Sequence, residues 1–88
     1  MEGFKRKTFG ATQRDYRLTG VARRITRHLT FKYGGMVRFN PIPLHDRRRG
    51  KIAELRVKGR VIKTYDYVPT VFSVEDDLQQ LTDLKPRI

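Results

Sequence analysis

"KIAELRVKGRVIKTYDYV", residues 51–68, decides the fold. Two runs rich in β-branched and aromatic residues flank Lys58-Gly59, which is the composition of a β-hairpin pivoting on that pair. Two registers fit. A two-residue turn pairs Leu55 with Ile62 and Glu54 with Lys63. A three-residue loop instead gathers Ala53, Leu55, Val57, Val61 and Tyr65 on one face and turns Glu54, Arg56, Ile62 and Thr64 to the other. The second is preferred, because it gives the cleaner apolar face.

Upstream of the hairpin, MVRFNPIPL (36–44) is apolar but broken by Pro41 and Pro43. Proline donates no ladder hydrogen bond, so residues 36–40 are expected as a strand at a sheet edge and 41–44 as an extended segment. LHDRRRGK (44–51) then reads as a turn framed by Asp46 and Gly50. Such a turn has no structural need for three consecutive arginines.

Helical periodicity brackets these strands. From Thr12 to Tyr33, Leu18, Val21, Ala22, Ile25 and Leu29 recur at the spacing of one buried stripe, with Arg17, Arg23, Arg24 and Arg27 on the opposite side. The helix is expected over 19–33, with Thr19 or Thr12 as N-cap, Gly20 weakening any earlier start and Gly34-Gly35 as the stop. His28 beside the arginines reads as a polar surface residue. Near the C-terminus, Val74, Leu78 and Leu81 form a shorter stripe, with Ser73 as the expected cap and Pro86 as the end. Glu75, Asp76 and Asp77 would then occupy the first turn, where the helix dipole favours acids.

The resulting order is helix, three antiparallel strands, helix: a small α+β domain over residues 12–85, preceded by a flexible basic arm (1–11) and followed by a tail (86–88). Both helices are expected on one face of the sheet, which leaves the other face short of cover.

Charge is the strongest functional signal. Twenty Lys and Arg stand against nine Asp and Glu, a formal net charge of +11. The imbalance is uneven: residues 1–63 carry +14 and residues 64–88 carry −3. A field of this sign attracts phosphate backbones, anionic membranes or acidic protein surfaces. The absence of cysteine removes disulfides, thiol nucleophiles and thiolate metal sites. No apolar run has the length of a membrane span, and MEGFKRKTFG lacks the apolar stretch of a secretory signal, so a cytoplasmic location is expected. Membrane-surface attachment is disfavoured, because the apolar stripe of the basic helix is needed for the core of so short a chain.

Catalytic chemistry is thinly represented. No nucleophile elbow, phosphate-cradling glycine loop or metal-ligand spacing occurs, so no catalytic residue, metal or cofactor is assigned. Asp46, with Glu54 two residues before Arg56, resembles the Asp and Glu-x-Lys pattern of metal-dependent nucleases, in which two carboxylates hold magnesium beside a phosphate. Here an arginine stands in place of the lysine and three arginines follow Asp46, so a nuclease is only a minor alternative. The element order is also similar to that of the double-stranded RNA-binding domain, whose second helix opens on lysines. The equivalent turn here is Val74-Glu75-Asp76-Asp77, and the similarity is one of order alone.

The reading that absorbs most of the charge is non-enzymatic binding of DNA or RNA, mainly through phosphates. Its expected contacts are Lys5, Arg6 and Lys7 in the arm, Arg23, Arg24 and Arg27 on the helix, Arg47, Arg48, Arg49 and Lys51 in the turn, and Arg56, Lys58 and Arg60 on the hairpin. The last three groups are expected to converge. Tyr65, Tyr67, Phe39 and Phe72 are candidates to stack on bases, although strand aromatics more often belong to the core. The alternative is a protein-binding regulator or inhibitor that sets the basic face against an acidic partner. The acidic C-terminal helix adds a route to homo-oligomers through oppositely charged ends.

Overall fold

The structure, a computed structural model, describes residues 13–87. The arm with Lys5, Arg6 and Lys7 lies outside the described residues, as does Thr12. Along the chain run α1 (Gln13–Tyr33), β1 (Val37–Pro41), a 3-10 turn (Leu44–Asp46), β2 (Ala53–Val57), β3 (Arg60–Tyr65) and α2 (Val71–Leu81). The strands form one antiparallel sheet in the order β1-β2-β3.

In α1 the buried stripe is Leu18, Ala22, Ile25, Leu29 and Tyr33. The helix already includes Gln13, ahead of the expected start at Thr19. Gly20 does not break it: the residue is exposed, and nothing lies within 4 Å of where its Cβ would stand, so only helix propensity is lost. Thr19 is no cap; its hydroxyl donates to the Asp15 carbonyl one turn back, at 3.1 Å. The helix stops at Gly34, whose φ of +104° suits glycine and whose N–H bonds the Thr30 carbonyl at 2.9 Å.

Strand alternation then sorts the side chains. Val37 and Phe39, Ala53, Leu55 and Val57, and Tyr65 point inward and join the α1 stripe, Ile52, Val74 and Leu78 in one buried cluster. Both helices therefore pack on the same face. Arg38, Asn40, Glu54, Arg56, Val61 and Thr64 occupy the other, which no helix among the described residues covers.

The outer edge of β1 is closed by side-chain chemistry. The Phe39 N–H donates to Thr26 Oγ1 at 2.9 Å, and the Thr26 hydroxyl donates back to the Phe39 carbonyl at 2.7 Å. The Val37 N–H bonds the Gly34 carbonyl at 3.3 Å, and Pro41, which ends the strand, has no N–H to expose. An edge without free donors cannot template another strand.

The hairpin combines the two candidate registers. Val57 pairs with Arg60 and Arg56 with Val61 around a two-residue turn; a bulge at Ile62 then shifts the ladder to Leu55–Lys63, Glu54–Thr64 and Ala53–Tyr65. Lys58 (φ +55°) and Gly59 (φ +81°) form the turn, with positive φ at both central positions as type I′ requires. The expectation that Val61 lies on the core face is thereby corrected. Val61 sits opposite Arg56 and is exposed, while Ile62 packs against the core, because the extra residue reverses the alternation between them.

α2 also begins earlier than expected. Thr70, not Ser73, is its N-cap: the Thr70 side chain accepts the Ser73 N–H at 3.2 Å. The helix ends at Leu81, where Thr82 returns its N–H to the Leu78 carbonyl at 3.0 Å, so Pro86 is not the terminator. The acids therefore lie beyond the first turn, and the dipole explanation for them fails. Past α2 the chain runs back to α1, where the Arg87 N–H donates to the Lys32 carbonyl at 2.6 Å and covers one of the last helix carbonyls.

Candidate nucleic-acid interface

The solvent side of α1 is a cationic strip. Arg17, Arg23, Arg24 and Arg27 are exposed, with Gly20 among them. Each lies about a third of a turn or more from the midline of the buried stripe at 100° per residue. No acid interrupts the strip: Asp15, the only acid of α1, is turned toward the 43–51 loop. Tyr16 (62% exposed) and Phe31 (67%) stand at the two ends. Arg23 and Arg27 also line a groove between α1 and β1, with Thr19, Thr26 and Asn40.

A second cationic surface lies on the uncovered face of the sheet. Arg38 is paired directly opposite Arg56, a like-charge cross-strand contact that opposes sheet stability by about 0.2–1 kcal/mol. Beside it, Arg48, Lys51, Glu54, Arg56, Val61 and Thr64 line a shallow depression with the 42–46 segment. Arg48 and Lys51 are close because the Lys51 N–H bonds the Arg48 carbonyl at 3.0 Å, closing a tight turn. Within that turn Arg49 (φ +54°) and Gly50 (φ +77°) are both left-handed, the same I′ signature as Lys58-Gly59. Arginine and lysine thus hold two positions where asparagine or glycine costs less.

The basic groups expected to converge are divided. Arg23, Arg24 and Arg27 lie on the exposed side of α1, with Arg23 and Arg27 along its groove with the β1 edge, because the opposite side of the helix is buried on the sheet. Arg48, Lys51 and Arg56 face outward from the other layer. Two expected contacts are held internally. Arg47 Nη1 donates to Asp15 Oδ1 at 2.6 Å and its Nε to the Ile42 carbonyl at 2.9 Å, fastening the loop to α1. Arg56 Nε donates to Glu54 Oε2 at 2.5 Å and its Nη1 to the Gly59 carbonyl at 2.9 Å. Lys58 and Arg60 lie at the hairpin end, sharing a concavity with Leu81 and Asp83 of the helix layer. Arg38 is absent from the sequence expectation, although the alternation Val37, Arg38, Phe39 and antiparallel pairing to Arg56 carry the signal.

The acids explain why so many cations remain uncompensated. Glu75 lies between the helices, accepting from Lys32 Nζ at 2.8 Å, the Tyr33 hydroxyl at 2.8 Å and His28 Nε2 at 3.1 Å. Burial pushes its carboxyl up, but the bonds from Lys32, Tyr33 and His28 outweigh this and hold it down at about 2. The bond to Glu75 in turn raises Lys32. Asp77 accepts from the Tyr65 hydroxyl at 2.7 Å and pairs with Lys63 at 3.2 Å, and burial together with that bond pushes the Tyr65 phenol up. Of the three α2 acids only Asp76 is exposed.

Phe39 and Tyr65 are core residues in edge-to-face contact with centroids 5.4 Å apart, so neither is available to bases. Tyr67 and Phe72 remain exposed. Asp46 and Glu54 share the sheet-face depression, but Arg56 already engages Glu54, and the described residues contain no cluster of three metal-ligating side chains. Among the described residues no helix is long and apolar enough to cross a membrane. Comparison with family models, curated proteins and solved structures finds no match in any of the three.

Proposed function

We propose that this protein binds nucleic acid through its phosphate backbone, using the solvent face of α1. The observation that carries the reading is the strip Arg17, Arg23, Arg24, Arg27: four exposed guanidiniums on one helix face, none in an ion pair within the described residues. The neighbouring Lys32 and Arg47 are paired, so cations on this domain are neutralised where the fold needs it and left free on this face. Self-repulsion along such a strip opposes folding unless an anion offsets it. A helix of 21 residues is about 31 Å long and fits the major groove of a duplex, with the arginines reaching both groove walls.

Fluorescence anisotropy with a labelled duplex across a salt series tests this. Four phosphate contacts predict a slope of log affinity against log salt of about −3.6, and Arg23→Ala/Arg24→Ala/Arg27→Ala brings the slope to about −0.9. Circular dichroism of the triple variant stays unchanged, because all three positions are exposed and alanine favours helix. No binding below the micromolar range at low salt, or an unaltered slope in the variant, refutes the proposal. A second reading, docking on an acidic protein surface, is favoured by Tyr16 and Phe31, since exposed aromatics among arginines typify protein interfaces. In that case the duplex assay is silent and the triple variant loses the protein partner.

A further inference from the structure

We infer that the uncovered sheet face is a second phosphate-binding surface, so that one copy of the chain bridges two nucleic-acid duplexes. The inference rests on the nucleic-acid reading of α1 and adds a site on the outer face of the sheet. α1 is buried on the inner face of the sheet, so the exposed strip Arg17, Arg23, Arg24 and Arg27 belongs to the helix layer, with Arg23 and Arg27 beside the β1 edge, while Arg38, Arg48 and Lys51 lie on the outer face of the sheet. A straight duplex seated along the length of the helix strip leaves the outer sheet face open to a second one.

Three observations make the sheet face an anion site instead of a bare solvated surface. Arg38 is directly opposed by Arg56, and the one acid on the three strands, Glu54, bonds Arg56, so the like-charge pair is only half offset. Arg49, in the turn that brings Arg48 and Lys51 together at this face, sits at a left-handed position that a turn fills more cheaply with an uncharged residue. Of the two acids lining the depression on this face, Glu54 is bonded to Arg56 and Asp46 lies beside His45 at 3.6 Å, which leaves Arg38, Arg48 and Lys51 without an ion-pair partner among the described residues. The occupant is double-helical rather than single-stranded. Sequence-tolerant binding of single strands uses aromatic platforms, and the outward strand side chains of this face are Arg38, Asn40, Glu54, Arg56, Val61 and Thr64, with no aromatic ring.

Bridging has a distinct energetic signature. With about three contacts on the sheet face, binding of the second duplex carries a salt slope of about −2.7 and weakens about 40-fold between 50 and 200 mM salt. Native mass spectrometry with an excess of a 12-base-pair DNA duplex provides the test, with duplex RNA of the same length as a parallel arm. The expected result is a complex of one protein and two duplexes. Arg38→Thr/Arg48→Ala/Lys51→Ala reduces it to one protein and one duplex with the α1 salt slope intact. Arg23→Ala/Arg24→Ala/Arg27→Ala also reduces it to one duplex, now held by the sheet face with a slope of about −2.7 in place of the roughly −0.9 that Arg17 alone gives. Only one-to-one complexes for the wild-type chain overturn the inference and leave the α1 reading standing. Two proteins with two duplexes also overturn it, since self-association then does the bridging. No complex with either duplex overturns both.

Discussion

Replacing Glu75 by glutamine tests whether the buried acid, not the helix dipole, anchors α2. Glu75 is 13% exposed and receives three hydrogen bonds from α1, at 2.8, 2.8 and 3.1 Å. Its carboxyl titrates at about 2 in the folded chain, against an ordinary 4.5. If fully expressed, that difference is worth about 3 kcal/mol. Lys32 and His28 are 28% and 38% exposed, so solvent screening lowers the figure to about 2 kcal/mol. Because the folded value is depressed, the contribution is fully present above pH 4.5 and is lost as pH falls from there toward 2. Urea denaturation of both proteins from pH 2 to 7, followed by circular dichroism, reads the difference directly. The wild-type chain is more stable by about 2 kcal/mol at pH 6–7, and the gap closes near pH 2. Other acids protonate in both proteins and cancel. A gap that stays constant across this range refutes the argument.

Three further outcomes follow from the packing. Arg47→Ala removes two short bonds between the 43–51 loop and its surroundings and lowers stability by about 2 kcal/mol, whereas Arg48→Ala is within about 0.5 kcal/mol of wild type; chemical denaturation separates the two neighbours. Thr26→Val leaves the Phe39 N–H and carbonyl without their partner, costs about 2 kcal/mol and reopens the β1 edge, so its sedimentation shows self-association that Thr26→Ser does not. Gly20→Ala raises stability by up to about 1 kcal/mol, some 4–8 °C in thermal midpoint, because the added methyl meets no atom within 4 Å. A lower midpoint would show that the helix face is not open at that residue.

Much of the fold was legible from local pattern. The α1 stripe, the edge character of the Pro41 strand and the Lys58-Gly59 pivot each rest on periodicity or on one residue's backbone chemistry. The helix ends were less legible. Thr70 and Ser73 are both good caps, and only the position of Val74 and Leu78 against the core chooses between them. The hairpin register escaped because a bulge serves both candidate pairings: the tip obeys the two-residue turn, while Tyr65 reaches the core only after Ile62 adds one residue.

The candidate site divides in the same way. A basic α+β domain, its three strands and the α1 stripe could be read from the residues, as could the crowding of cations into the first 63 residues and of acids at the end; Leu81, read into the α2 stripe, instead lies exposed. What each charge does follows from how the layers pack. Packing turned Arg47 inward to Asp15, set Glu75 and Asp77 beneath α1 and β3, bound Arg56 to Glu54, and placed the remaining arginines on two faces instead of one. The reason is physical: periodicity reports which side of its own element a residue occupies. Whether a charge is neutralised there depends on a partner brought near only when the layers pack, 32 residues away for Arg47 and 43 for Lys32.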